Sequence, residues 1–150
     1  MTKPTFSNSN TAIDAWDILD PVDILPKLPE SWAELLASKK WLERKEALDS
    51  LLQLLIENPR LSTNANYGDI VGKLGTILAK DANINVVCDA AKCIKGLASG
   101  LREKFAPFSA HLAVIVFDKF KEKKPILRDT LIECIDAIYS TTVSVYFTYK

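Results

Sequence analysis

The sequence predicts an all-α fold, an α-solenoid of about three HEAT-like helix pairs. Apolar residues recur at helical spacing through most of the chain, and no internal stretch has a convincing strand pattern. The helix pairs also superimpose, because Leu48, Ala91 and Leu131 occupy equivalent positions at offsets of 43 and 40 residues. HEAT and armadillo repeats have periods of roughly 40–47 residues. Each pair leaves an apolar face that only the next pair can cover.

The chain of 150 residues fits one ordinary domain, and a hydrophobic share of 48% is enough to build a core. Proline and polar runs interrupt the apolar pattern and divide the chain. We expect a flexible lead-in over residues 1–11, a helical domain over 12–142 with pairs at about 29–58, 67–105 and 107–141, and an unassigned tail over 143–150.

The first pair joins a short helix over residues 31–37 to a longer helix over 41–58. Pro29 suits the first helical turn, and Asn58 before Pro59 ends the longer helix. The longer helix is expected to expose a polar face made of Glu43, Arg44, Lys45, Glu46 and Asp49.

The segment before the first pair contains three prolines, which prevent a long helix there. Its apolar residues are nevertheless numerous enough to pack against the domain. The residues expected to make this contact are Trp16, Ile18, Leu19, Ile24 and Leu25.

The second pair is predicted to consist of helices over residues 67–80 and 86–105. Gly72 and Gly75 weaken the first of these helices by about 1 kcal/mol each relative to alanine. Their small size would let a neighbouring helix approach closely. Asn85 is a plausible N-cap for the second helix.

The third pair is predicted at residues 107–120 and 126–141. The first of these helices is nearly all apolar, so we expect other elements to flank it on several sides. Residues 143–149 alternate β-branched and aromatic side chains and have strand propensity, with nothing obvious to pair with. This tail is read as an irregular cap, an effect of truncation or an aggregation-prone segment.

Composition excludes several function classes. Lys+Arg and Asp+Glu both number 19, which weakens any case for nucleic-acid binding through a global positive charge. No apolar run approaches the roughly 18 residues of a membrane span, and the polar N-terminus lacks the apolar core of a signal peptide. Cys88, Cys93 and Cys134 form no CxxC pair, so we read them as reduced core thiols. We therefore expect a soluble, intracellular protein without membrane or nucleic-acid partners.

The sequence contains almost no residues in an arrangement that would support catalysis or metal binding. His111 is the only histidine, and it lies in an apolar helix without an obvious acidic partner, so a partly buried structural role is expected. No cluster of Cys, His or carboxylate residues has ligand spacing, which predicts no metal and no cofactor. Residues 68–74 (GDIVGKL) faintly resemble a phosphate loop, but the spacing is one residue short and Leu74 replaces the hydroxyl residue. The protein is not expected to be an enzyme.

A short polar loop precedes the second helix of each pair. The three loops would fall on one edge of the stack. From spacing alone, Trp41 is either a packed residue at a helix start or an exposed binding anchor among lysines. The lysine-rich third loop, residues 121–125, is either an ordinary solvated turn or part of a shared binding edge. Ile84 is either buried under its loop or presented at its tip.

Several separate motifs, in order, resemble a TOG domain of the ch-TOG and mini spindles family of microtubule polymerases. They are residues 24–29 (ILPKLP), 40–48 (KWLERKEAL), 90–98 (AAKCIKGLA) with Leu101 and Arg102, and 119–125 (KFKEKKP). The resemblance covers roughly Ala15 to Thr142. It is strongest to the N-terminal half of the second TOG domain of the array, which implies that this chain is a partial TOG domain.

The resemblance implies a paddle of HEAT repeats whose intra-repeat loops bind the αβ-tubulin heterodimer on its β-tubulin side. The residues that match the family's loops, or flank them, are Lys39, Lys40 and Trp41 in loop one, Asp81, Asn83 and Ile84 in loop two, and Lys121, Lys123 and Lys124 in loop three. The family also implies further TOG domains in a longer parent chain. It implies a location in the cytoplasm, on microtubules, the spindle and the centrosome.

The alternative is a generic HEAT or armadillo scaffold that binds a protein or peptide along a helix face, without a tubulin preference. Tubulin is strongly acidic, so binding through lysine-rich loops should weaken steeply as ionic strength rises. A hydrophobic groove should be far less sensitive. Polymerase activity would require several linked domains and is not expected of this chain alone.

Overall fold

Helices account for nearly all regular structure in this chain. The structure is a computed structural model that describes residues 14–148, with side chains described through residue 142. The α-helices in that range are α1 (Ala15–Ile18), α2 (Trp32–Leu36), α3 (Trp41–Glu57), α4 (Gly68–Lys80), α5 (Ile84–Leu101), α6 (Ala106–Lys119) and α7 (Pro125–Thr148). Short 3-10 turns occupy Leu25–Lys27, Arg102–Phe105 and Phe120–Glu122. The predicted lead-in over residues 1–11 lies outside the described residues.

The helices pair and stack as a solenoid. Each of α2, α4 and α6 packs against the helix that follows it, and α3, α5 and α7 lie side by side. Helix α4 also packs on α6. Over residues 14–148 there is no strand, only an isolated bridge between Val22 and Leu61. The predicted α-solenoid of three HEAT-like pairs is confirmed.

The core follows the predicted repeat. The equivalent residues Leu48, Ala91 and Leu131 of the three pairs are all buried. A second layer of equivalent positions has no exposed surface at all, namely Leu51, Ile94 and Cys134. The offset pattern read from the sequence therefore marks the inward face of α3, α5 and α7.

Two of the glycines of α4, Gly72 and Gly75, differ in role. A Cβ atom added at Gly75 would lie 3.3 Å from Leu112 Cδ2 and 3.5 Å from Ile115 Cδ1, so α6 does approach closely there. Nothing lies within 4 Å of a Cβ atom added at Gly72. The predicted close approach is confirmed at Gly75 and is wrong at Gly72, which faces an open groove beside α2.

Helix α5 begins earlier than predicted. Asn83 is its N-cap, because the Asn83 side-chain oxygen accepts a hydrogen bond of 2.9 Å from the Asn85 backbone N–H. The predicted N-cap at Asn85 is wrong, and the helix starts at Ile84. At the other end, the chain tightens into a 3-10 turn at Arg102, whose φ of 50° ends the α-helix before Phe105.

Helix α7 continues to Thr148, so the predicted end near residue 141 is wrong. The strand propensity of residues 143–148 is overridden by the helix that leads into them. A lone strand would leave its backbone groups unpaired here, whereas continued helix pairs each N–H with a carbonyl four residues earlier. The last two residues of the tail lie outside the described residues.

Helix α6 is less enclosed than its composition suggests. Val114 is 70% exposed and Phe117 is 56% exposed, because α4 and α7 cover only the opposite side of the helix. The expectation of cover on several sides is therefore wrong. His111, predicted to be partly buried, is also exposed.

The N-terminal segment is held at the edge where one pair connects to the next, here called the linker edge (residues 14–22, 58–62 and 100–105). Trp16 lies between the guanidinium groups of Arg60 and Arg102, 4.3 and 4.2 Å from its ring centroid. Ile24 is buried and Leu25 partly buried, as predicted, but Ile18 is 72% exposed. Leu19 is also exposed. The expectation that these last two pack on the domain is wrong, since α1 has only one turn and turns them outward.

The three cysteines are free and buried, which agrees with the core role predicted for them. Burial raises the pKa of Cys134 to about 12 and raises the pKa of Cys93 well above its ordinary value. Both thiols are therefore unreactive in the folded chain. No helix within residues 14–148 is both long and apolar enough to span a lipid bilayer.

Candidate protein-binding edge

The three predicted loops lie together along one side of the molecule, here called the loop edge (residues 38–42, 81–84 and 119–126). This follows from the parallel arrangement of α3, α5 and α7, whose N-termini lie at the same end. Two contacts fix the register. Arg44 in the first turn of α3 bonds to Asp81 before α5, and the Cys88 thiol lies 3.9 Å from the Ile126 carbonyl oxygen at the start of α7.

Loop one presents an exposed aromatic residue. Trp41 is the first residue of α3 and is 38% exposed, and Leu42 beside it is 64% exposed. Lys39 and Lys40 are exposed on the preceding turn. Trp41 is therefore partly accessible at the surface, as a binding anchor must be, and its binding role stays a prediction. Leu42 was not among the predicted site residues, although its position outside the apolar stripe of α3 was a usable signal.

Local hydrogen bonds shape loop one. The Ser38 hydroxyl donates to Glu43 Oε1 at 2.7 Å and accepts the Lys40 backbone N–H at 3.0 Å. This arrangement satisfies a backbone donor at the start of α3, as a helix cap does. It also fixes the direction in which the chain enters the helix at Trp41.

Loop two is a tight turn built around a buried carboxylate. Asp81 accepts hydrogen bonds from Arg44 Nε at 2.7 Å and Nη2 at 3.0 Å, and from the Asn83 backbone N–H at 2.9 Å. Its side chain is only 5% exposed. Burial by itself raises the pKa of Asp81, but these hydrogen bonds outweigh it and hold the pKa below its ordinary value of 3.8. Ile84 is half-buried and packs against the core.

Loop three presents cations. Lys121, Lys123 and Lys124 are all exposed, and Lys123 adopts the left-handed conformation with φ of 53°. Lys121 Nζ lies 3.0 Å from Asp118 Oδ1, and Lys124 Nζ lies 3.9 Å from Glu122 Oε1. These are exposed ion pairs, which are worth little in water and leave the ammonium groups accessible.

Beside loop three lies an open groove of about 530 Å³ between the ends of α6 and α7. Phe120, Pro125 and Ile132 supply its apolar surface, and Lys123 and Lys124 lie at its rim. The loop edge therefore combines apolar surface with positive charge at both of its ends.

The structure brings most of the predicted site residues to this edge in an accessible form, and the exceptions are specific. Asp81 is buried and already paired, and Ile84 is half-buried. Two charged residues outside the predicted set lie beneath the edge. Arg44, expected on the wet face of α3, has a side chain only 18% exposed. Lys119 is 8% exposed.

A further ionic contact joins α3 to α5 below the edge. Lys45 Nζ lies 2.9 Å from Asp89 Oδ2 and 3.1 Å from Asp49 Oδ2. Burial and the neighbouring Asp49 carboxylate raise the pKa of Asp89, and Lys45 offsets this only in part. No group of three or more His, Cys, Asp or Glu side chains within the described part of the chain is placed to hold a metal ion.

Comparison with known proteins identifies relatives of this chain, although no family model matches it. The chain is 56% identical over 129 residues to Zygote defective protein 9 of Caenorhabditis elegans, covering 86% of this chain and 9% of the relative. It is 44% identical over 130 residues to Protein mini spindles of Drosophila melanogaster, covering 87% of this chain and 6% of the relative.

Comparison with solved structures points to the same relatives. A chain from "Structural Basis of Microtubule Plus End Tracking by XMAP215, CLIP-170 and EB1" superimposes with a TM-score of 0.80 at 44% identity, covering 84% of this chain and 52% of that one. This chain belongs to the ch-TOG and mini spindles family. The predicted resemblance is thereby confirmed.

A second member of the same structural group supports the TOG fold. A chain from "Structural Basis of Tubulin Recruitment and Assembly by Microtubule Polymerases with Tumor Overexpressed Gene (TOG) Domain Arrays" matches with a TM-score of 0.78 at 31% identity. It covers 83% of this chain and 26% of that one. The ch-TOG family chain described here thus spans less than a tenth of the curated relatives above and about half of the first solved chain.

Proposed function

We propose that this chain binds the αβ-tubulin heterodimer, on its β-tubulin side, through the loop edge. The observation that carries the proposal is the exposed Trp41 at the start of α3, on the same edge as the lysines of loop three. Exposed aromatic residues flanked by cations are typical anchors of protein interfaces. The family relationship supports tubulin as the partner, since one solved relative is described as a tubulin-recruiting TOG array.

In this proposal Trp41 is the central contact and Leu42 widens its apolar surface. The exposed lysines, Lys39, Lys40, Lys121, Lys123 and Lys124, steer and orient the acidic partner. Asn83 and Ile84 contribute the part of loop two that remains accessible. We assign no catalytic step to the chain and propose a non-enzymatic binding module.

We also propose that residues 12–142 act as one part of a longer parent chain that carries further TOG domains and promotes microtubule growth. The support is the small share of the relatives that the chain spans and the description of one solved relative as a TOG domain array. We propose a location on microtubules, the spindle and the centrosome. Two more relatives, a spindle pole body component of fission yeast and a centrosomal protein of Dictyostelium, support it.

A second candidate is a peptide-binding scaffold. An open groove of about 560 Å³ runs between α3, α5 and α7, away from the loop edge. Leu52, Ile56 and Gly96 line it, and Ile56 is 64% exposed. This groove is the feature that a generic HEAT scaffold would use.

The test is co-elution of the purified chain with unpolymerised αβ-tubulin on a size-exclusion column in low salt. Trp41→Glu and Ile56→Glu form a matched pair, because each places a carboxylate at an exposed apolar position of α3. We expect co-elution of the wild type and of Ile56→Glu, and separate elution of Trp41→Glu with unchanged helicity. The reverse pattern would transfer binding to the groove, and no co-elution of the wild type would refute the proposal.

Raising the ionic strength separates the candidates further. Binding through the loop edge should weaken steeply between about 50 mM and about 300 mM salt, because exposed lysines are screened over a Debye length of about 10 Å at 0.1 M. Binding in the apolar groove should change little over the same range.

A further inference from the structure

One guanidinium group connects two of the loops. Arg44 Nη1 donates to the Ser38 carbonyl oxygen of loop one at 3.0 Å, while its Nε and Nη2 both donate to the Asp81 carboxylate of loop two. The bidentate pair is a rigid geometry that only arginine provides. A side chain from the first turn of α3 therefore fixes the separation of loops one and two.

The Asp81 carboxylate passes this constraint on to the turn before α5. It accepts the Asn83 backbone N–H at 2.9 Å, and Asn83 in turn caps α5 through the Asn85 N–H. Every contact of this carboxylate lies inside the protein, and its side chain is 5% exposed. Asp81 therefore has almost no surface to offer a partner.

A buried lysine lies at the start of loop three. The Lys119 side chain is 10% exposed and its Nζ lies 2.5 Å from Glu122 Oε2 at the turn into loop three. Its positive charge is close enough to help lower the pKa of Asp81. Arg44 and Asp81, hydrogen-bonded to Ser38 and Asn83, thus form a buried ionic network beneath loops one and two, and Lys119 adds a nearby positive charge on the side of loop three.

We infer that Arg44 and Asp81 are positioning residues for the loop edge: they hold loops one and two in a fixed arrangement in which Trp41 and Asn83 face one partner surface. This inference rests on the proposed function. A preorganised edge loses less conformational entropy on binding than loops that move independently. Breaking the pair also leaves a buried charge without its partner, so the loops rearrange to hydrate it.

The binding experiment uses Asp81→Asn, which keeps a hydrogen-bond acceptor, and Arg44→Lys, which keeps the charge but loses the bidentate geometry. Glu133→Gln is the matched control, because it breaks an exposed ion pair of 2.6 Å with Lys95 that also joins two stacked helices. Urea unfolding of each variant verifies that it is folded. We expect each of the two network variants to weaken binding to unpolymerised αβ-tubulin about tenfold, and the control less than twofold.

Two features of the binding data separate positioning from direct contact. The Arg44→Lys and Asp81→Asn double variant should bind no more weakly than the worse single variant, because both remove the same constraint. The slope of affinity against salt should stay that of the wild type, since no ionic contact to the partner is lost. Wild-type affinity in folded Asp81→Asn, or additive losses in the double variant, would overturn the inference.

A measurement on the free chain keeps this result independent of tubulin. In relaxation-dispersion NMR we expect microsecond-to-millisecond exchange at the Trp41 indole and the Asn83 amide in Asp81→Asn, but not in Glu133→Gln or the wild type. If this exchange appears while the wild type fails to bind tubulin, the proposed function is wrong and the loop-ordering role stands. Rigid loops in Asp81→Asn would overturn the inference whatever the binding result.

Discussion

The two edges of the solenoid each place a tryptophan among cations, and they use it differently. At the loop edge, Trp41 is 38% exposed and the nearby lysines extend into solvent. At the linker edge, Trp16 is stacked between Arg60 and Arg102, whose guanidinium groups lie 4.3 and 4.2 Å from its ring. At the loop edge the tryptophan ring and the cations remain accessible to solvent. At the linker edge the tryptophan ring and the cations contact each other within the chain.

The linker edge uses its charges to close the fold. Arg60 Nη1 lies 3.0 Å from the Asp17 carbonyl oxygen and 3.1 Å from that of Leu19, and Arg102 Nη2 lies 2.7 Å from Asp14 Oδ2. Arginine suits this role because its planar group both stacks and donates several hydrogen bonds. Lys40, Lys121 and Lys124 at the loop edge make only exposed ion pairs, which leaves their ammonium groups accessible. Exposure of an aromatic residue, rather than proximity to cations, therefore distinguishes the loop edge from the linker edge.

The largest effect is expected from Trp41→Ala. Loss of this side chain should weaken tubulin binding by about 2 kcal/mol or more, about 30-fold in Kd, as for other aromatic interface anchors. The free energy of unfolding should fall by only about 1 kcal/mol, because the residue is 38% exposed. Isothermal titration calorimetry and urea unfolding measure the two quantities. A stability loss with unchanged Kd would make Trp41 a packing residue and remove the contrast between the edges.

Gly100→Ala should destabilise the linker edge by about 1–3 kcal/mol, as overpacking does. An added Cβ atom would lie 2.7 Å from Leu61 Cγ, where the Leu61 backbone N–H also bonds to the Gly100 carbonyl at 3.0 Å. Gly72→Ala is the matched control, since nothing lies within 4 Å of its added Cβ atom. That control should stabilise the chain by up to about 1 kcal/mol. Urea unfolding decides the signs, and equal effects would contradict tight packing at the linker edge.

Trp16→Ala is the counterpart of Trp41→Ala at the linker edge. It should affect the stability of the chain more than its affinity for tubulin, the opposite of Trp41→Ala. Losing two cation–π contacts and a half-buried ring should lower the free energy of unfolding by about 1–2 kcal/mol. Affinity for tubulin should stay within twofold of the wild type, because Trp16 lies at the far edge. The same titration and unfolding experiments apply. A large affinity loss in folded Trp16→Ala would extend the binding surface to the linker edge.

The smallest expected effect is a loss of stability at acidic pH. The Trp16 backbone N–H and Arg102 hold the pKa of Asp14 below its ordinary value of 3.8, and the pKa of Asp81 is also lowered, for the reasons given above. A carboxylate with a lowered folded-state pKa contributes stability above its unfolded value, and this contribution is lost as the pH falls through the folded value. Both contributions should therefore be present at neutral pH and disappear below about pH 4.

Salt then distinguishes the two carboxylates. Asp14 is exposed, so about 0.5 M salt should screen its pair with Arg102, whereas the buried Asp81 pair should persist. Urea unfolding of Asp14→Asn and Asp81→Asn at pH 7, with and without salt, compares them with the wild type. Equal salt sensitivity of the two variants would contradict the burial of the Arg44 and Asp81 pair.

The helices and their stacking were predictable because burial at helical spacing is a local signal that repeats. Leu48, Ala91 and Leu131 align through the repeat offsets alone, and all three are buried in the folded chain. The loops could be located for the same reason, since a loop lies wherever the apolar period stops. Trp41 stood out because it lies at such a stop.

The ionic network could not be predicted, because its members are far apart in the chain. Arg44 and Asp81 are separated by 37 residues, and nothing local distinguishes a buried arginine from one on the wet face of α3. Lys119 was concealed in the same way within a lysine-rich run. Helix α7 exceeded its predicted end because strand propensity in a short tail competes with the helix that precedes it, and only the folded context decides the outcome.

The three tryptophans also serve as intrinsic fluorescence probes of three parts of the chain. Trp32 is 5% exposed and donates its indole N–H to the Ala47 carbonyl oxygen at 2.9 Å, Trp16 is stacked on cations, and Trp41 faces solvent. Three emitters in three environments report on the first helix pair, the linker edge and the loop edge. A neutral quencher dissolved in the buffer should reduce the Trp41 emission first. Fluorescence quenching can therefore follow the loop edge separately from the rest of the domain.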